Sequence, residues 1–73
     1  MSTMTYVFRV EGMHCGSCAL LIDDTLDELP GVSRSQTTVK PGRSTVELDV
    51  RQTSPQAVVA AIEELGYRAS SLP

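Results

Sequence analysis

The chain has 73 residues, 41% of them hydrophobic and 21% charged, with a net charge of −3. A chain of this length fits one small domain over 1–73, ordered over about 4–72, with a core too small for much surplus stability. Six scattered Lys and Arg with no interleaved aromatic residues argue against a nucleic-acid surface, and no run approaches the roughly 18 apolar residues of a membrane span, so no direct membrane insertion is expected. Met1 to Thr5 has neither the basic patch nor the apolar run of a secretory signal, so the expected location is cytoplasmic. An acidic domain there suits a cation or a basic protein surface.

In chain order, Tyr6, Phe8 and Val10 alternate with Thr5, Val7 and Arg9, the period-two pattern of a half-buried strand, with Val7 an apolar exception. From Ser17 to Leu29 the period changes: Cys18, Leu21, Ile22, Leu26 and Leu29 form an apolar stripe at helical spacing, interrupted by Thr25. Pro30-Gly31 stops that helix. Val32 to Val39 reads as a second strand mainly from context, because Ser35 and Thr37 stand where apolar residues belong. In Lys40-Pro41-Gly42-Arg43, Pro followed by Gly predicts a type II turn with Gly42 at positive φ. Val46, Leu48 and Val50, alternating with Glu47, Asp49 and Arg51, give a third strand.

The second helix is specified at both ends: Ser54 as N-cap, Pro55 at the first helical position, a stripe of Val58, Ala61, Ile62 and Leu65, and Gly66 just beyond. Tyr67 to Leu72 supplies a last strand. The order β-α-β-β-α-β predicts an α+β, ferredoxin-like sandwich with two helices on one face of a four-stranded antiparallel sheet.

The two cysteines and the one histidine fall within Gly12-Met13-His14-Cys15-Gly16-Ser17-Cys18, between the first strand and the first helix. In a reducing compartment, thiols this close point to ligation or redox work rather than to a structural staple. At the mouth of a helix, Cys15 and Cys18 converge on one ion, and the helix dipole with its orphan N–H groups favours thiolate over thiol. Soft sulfur selects Cu(I), a monovalent d¹⁰ ion satisfied by two near-linear sulfurs, whereas Zn(II) normally demands four ligands and stands as a second possibility. A dithiol redox domain is a further reading, opposed by the short chain and by the lack of a Trp before and a Pro between the cysteines.

GMHCGSC, after a strand and opening a helix, resembles the GMxCxxC signature of the heavy-metal-associated domain, found in small copper chaperones and at the N-termini of copper-transporting P-type ATPases. The resemblance continues through Leu29-Pro30-Gly31-Val32, the hairpin and Leu65-Gly66-Tyr67. It implies Cu(I) on Cys15 and Cys18, with Met13 packed inward to brace the loop and Tyr67 beside the metal loop, as a half-buried strand aromatic, a shield for the ion, or both. His14 is expected to face solvent, with an alternative role as a third ligand. Polar Ser35 and Thr37 depart from the family's aliphatic pattern.

Asp23, Asp24, Asp27 and Glu28 crowd the outer side of the first helix, whereas Arg34, Lys40, Arg43 and Arg51 fall around the second and third strands. Leu20 lies on the acidic face near the metal mouth, so Leu20, Asp23 and Asp27 are the candidate docking residues for a basic partner. The expected function is intracellular Cu(I) binding and transfer, with no enzymatic activity, by ligand exchange with a copper-transporting P-type ATPase or its soluble metal-binding domains. A copper-bridged homodimer is a further expectation. The alternatives are an ATPase N-terminal domain and a Zn(II) or other divalent-metal binder; Met1 and the short tail lean toward a free chaperone, and the absent export signal leans against a mercury carrier.

Overall fold

The computed structural model describes residues 3–13 and 16–72 and contains, in order, β1 (Thr3–Glu11), α1 (Gly16–Asp27), β2 (Val32–Thr38), β3 (Arg43–Asp49), α2 (Pro55–Glu64) and β4 (Arg68–Ser71). The strands make one antiparallel sheet in the order β2-β3-β1-β4. Alternation along β1 and β3 turns Phe8, Val10, Val46 and Leu48 toward one face, where they meet Ile22 and Leu26 of α1 and Val58 and Ile62 of α2. The expected α+β, ferredoxin-like sandwich is therefore the observed one. Phe8, Ile22, Leu26, Leu48 and Ile62 are fully buried, each contributing about 1.5–3 kcal/mol of hydrophobic stabilisation. The other face of the sheet carries Thr5, Arg9, Arg43 and Thr45, which are exposed. Among the described residues, no helix is long and apolar enough to cross a membrane.

Both ends of α2 are built as expected. Ser54 Oγ accepts from the Ala57 N–H, Pro55 opens the helix, and Gly66 follows the C-cap Leu65 with φ +98°. In α1, by contrast, the buried stripe is Ala19, Ile22 and Leu26, while Leu21 is exposed. Leu21 falls outside the stripe because Asp23, on the far side of the helix from it, is the residue that meets β2.

Three further expectations need correction. Gly42 does not take positive φ, and the Lys40–Pro41 peptide is cis, so the type II turn is absent. What position 42 requires is close approach: a Cβ there would run into the Val10 carbonyl oxygen, and the Gly42 carbonyl accepts from the Val10 N–H at 2.8 Å. Val50 lies beyond β3 and is exposed, because Asp49 ends the strand by accepting from the Arg51 N–H on its carboxylate (2.9 Å) and from the Gln52 and Thr53 N–H groups on its carbonyl. The second strand carries a register shift between Val32 and Arg34, which sets Val32 against Leu48 and Ser35 against Val46 and breaks the simple alternation.

Candidate metal centre

The GMHCGSC segment joins the end of β1 to the start of α1. The chain leaves β1 through Gly12, whose φ of +100° suits a residue without a Cβ, and enters α1 at Gly16. Cys18 sits in the first turn of α1 and is half-buried. There the positive end of the helix dipole stabilises negative charge. Cys15 and His14, the other candidate ligands, lie outside the described residues.

Met13 is half-buried and packs against the hydrophobic core, with its Cε 3.6 Å from the position a Gly42 Cβ would take. This packing ties the loop to the β2–β3 turn. Tyr67 is also half-buried against the core, and its ring edge lies 3.5 Å from the position a Gly12 Cβ would occupy. Met13 and Tyr67 therefore flank the exit from β1, one from the hairpin side and one from the β4 side.

Along α1 the acidic residues separate into two kinds. Asp24 and Asp27 are exposed, and Leu20, 65% exposed, stands near the loop. Asp23 is half-buried and occupied: its carboxylate accepts from Ser35 Oγ (2.9 Å), Thr37 Oγ1 (2.7 Å) and the Thr37 N–H (3.1 Å). Since the Thr37 hydroxyl has one proton and gives it to Asp23, the fully buried Ser44 hydroxyl must donate to Thr37 Oγ1 across 2.9 Å. Ser35 and Thr37 are polar because they receive α1, and sequence reasoning missed this tie. The signal was available in two hydroxyl residues at strand spacing on the inward side of β2, paired in prospect with an acid on the preceding helix.

The model of the heavy-metal-associated domain matches residues 7–68, a span that includes both cysteines, Met13 and Tyr67. The chain belongs to the heavy-metal-associated domain family. A mercuric reductase from Shigella flexneri is 39% identical over 70 residues, covering 96% of this chain and 12% of the reductase. A zinc-transporting ATPase from Synechocystis is 41% identical over 63 residues (86% of this chain, 9% of the ATPase), and copper-transporting ATPase 2 from Homo sapiens is 39% identical over 62 residues (85% and 4%). The chain thus spans only a small part of the length of each of these relatives. Among solved structures, oxidized MerP from Ralstonia metallidurans CH34 superposes with a TM-score of 0.92 at 28% identity, covering 97% of this chain and 99% of MerP. The CopZ metallochaperone does so with a TM-score of 0.88 at 27% identity (92% and 100%).

Within this heavy-metal-associated domain the described residues thus place Cys18 in the first turn of α1, and the half-buried Met13 and Tyr67 beside the exit from β1.

Proposed function

We propose that this domain binds Cu(I) between Cys15 and Cys18 and passes it by thiolate exchange to a partner's cysteine pair. The observation that carries the reading is the position of Cys18 in the first turn of α1, three residues after Cys15, at the strand-to-helix junction that Met13 and Tyr67 brace. Two sulfurs suffice for Cu(I), and copper-transporting ATPase 2 and CopZ are among the similar proteins. The partner in this reading is a copper-transporting P-type ATPase or its metal-binding domain, and the setting is cytoplasmic. Whether the domain acts as a free chaperone or as the N-terminal part of an ATPase, the exchange is the same.

In each exchange one Cu–S bond to Cys15 or Cys18 breaks as one to the incoming thiolate forms. The released cysteine takes up the proton lost by the incoming thiol, and copper stays in the +1 state throughout. Leu20 with Asp24 and Asp27 forms the docking face; Asp23 is committed to β2 and supports the helix that carries the face. In this reading His14 is not a ligand and is dispensable for binding.

A second reading is supported by the mercuric reductase and MerP likenesses: Hg(II) is also a d¹⁰ ion content with two thiolates. The zinc-transporting ATPase likewise supports a divalent cargo. The transfer assay is to load the reduced domain with Cu(I), mix it with an acceptor domain carrying a CxxC pair, and follow copper in the presence of an excess Cu(I) chelator. Copper reaching the acceptor faster than it reaches the chelator supports direct exchange. Equal partition through the chelator contradicts it.

A further inference from the structure

The helices carry no Lys or Arg at all, whereas Asp23, Asp24, Asp27, Glu63 and Glu64 all lie on them. Every basic residue is in a strand or a strand-flanking turn, and Arg9, Arg34, Arg43 and Arg68 are exposed in the sheet. The register brings three of them together at the end of the sheet from which the metal loop leaves. Arg43 lies directly opposite Arg9, and Arg68 directly opposite Glu11. Glu11 makes a 3.4 Å ion pair with Arg9, and with Glu63 also at this end three guanidiniums stand against two carboxylates, an excess of one. Like charges placed opposite one another on a sheet cost stability unless an anion joins them.

This end of the sheet is also concave. A cleft of about 460 Å³ is lined by Arg9, Glu11, Arg68 and Ser70 together with Glu63 and Ala69. A second, of about 390 Å³, lies between Arg9 and Arg43 beside Pro41 and Gly42. Gly42 in turn neighbours the Met13 methyl, so the second cleft adjoins the metal loop. Both are open and carry charged side chains, so a ligand there would be held by ion pairs rather than by burial.

Resting on the Cu(I) reading above, we propose that this basic end of the open sheet face is where the metal's donor docks, and that the donor is a small anionic Cu(I)–thiolate complex bearing carboxylates. Charge counting gives the class: one Cu(I) held by two thiolates is already an anion, and carboxylates on the thiols add to it. The acidic helix layer repels such a complex, and the arginines offer it an approach beside the loop. A Cys15 or Cys18 thiolate then forms a bond to copper as one donor Cu–S bond breaks, so one thiolate leaves and the total charge is conserved. Copper enters across the sheet face and departs across the α1 face.

The test has two arms, with the Cu(I) complex of mercaptosuccinate as probe. In the Cys15→Ser/Cys18→Ser protein, which cannot accept the metal, NMR titration with millimolar complex is expected to shift the amides of Arg9, Arg43 and Arg68. Those shifts should vanish in 0.5 M salt and on adding Arg43→Glu/Arg68→Glu. In the protein with both cysteines, Arg43→Glu/Arg68→Glu is expected to slow copper uptake from this complex about tenfold, and uptake from the mercaptoethanol complex far less, with unchanged equilibrium affinity for Cu(I). Absence of the shifts in the first arm overturns the docking site even if the cysteines prove to bind another metal. Equal slowing, relative to wild type, of uptake from both donors, or no slowing from the mercaptosuccinate complex, overturns it as well.

Discussion

Asp23 shows how much a single side chain decides here. Its carboxylate takes three hydrogen bonds from β2 and, through Thr37, satisfies the buried Ser44 hydroxyl. Asp23→Ala strands these donors, and with charged hydrogen bonds worth about 1.5–3 kcal/mol each but partly replaced by water, a loss of about 2–3 kcal/mol is expected in denaturant unfolding. A wild-type midpoint would show the tie to be without consequence. The same contacts make charge reversal at Asp23 a poor probe of docking, because it breaks β2 away from α1. Asp24→Lys/Asp27→Lys is the clean variant: both residues are exposed, so stability should stay within about 0.5 kcal/mol of wild type. Its association with a basic partner should slow, most strongly at low salt, and stopped-flow rates in 20 mM and 300 mM salt read both effects.

At the level of elements, the sequence was most legible where chemistry is local. The Ser54 cap, Pro55 start and Gly66 stop of α2 were readable residue by residue, and Ser54→Ala is expected to cost about 1 kcal/mol by thermal unfolding. The β-α-β-β-α-β order followed from the change of period between runs. What periodicity misplaced depends on partners far along the chain. Leu21 falls on the apolar stripe by spacing, yet it is exposed because Asp23, on the far side of α1 from it, is the residue that meets β2, so the buried stripe runs through Ala19, Ile22 and Leu26. Gly42 looked like a turn glycine, but its bare Cα is needed for the backbone of β1 to pass. Gly42→Ala must push Val10 aside, and overpacking of this kind costs about 1–3 kcal/mol. Since Met13 packs at the same point, the variant should also loosen the metal loop, seen as amide exchange accelerated in residues 12–18 relative to α2.

Across the whole molecule, the fold separates charge into layers, acidic helices over an arginine-bearing sheet face, and sets the cysteine segment where the layers meet. The candidate site was legible as a motif, because GMHCGSC is contiguous in the sequence between β1 and α1, with His14 and Cys15 outside the described residues. The basic end of the sheet was not, because Arg9, Arg43 and Arg68 are far apart in the chain and only strand register makes them neighbours. What the two thiols hold is read by anaerobic competition titration of the reduced protein with Cu(I), Zn(II) and Hg(II) against chelators of known affinity, repeated for Cys15→Ser, Cys18→Ser and His14→Ala. Tight one-to-one Cu(I) binding that is lost with either cysteine and kept without His14, with Zn(II) bound far more weakly, is the predicted result. Preferential Zn(II) binding that needs His14, or Cu(I) affinity untouched by loss of a cysteine, would contradict it.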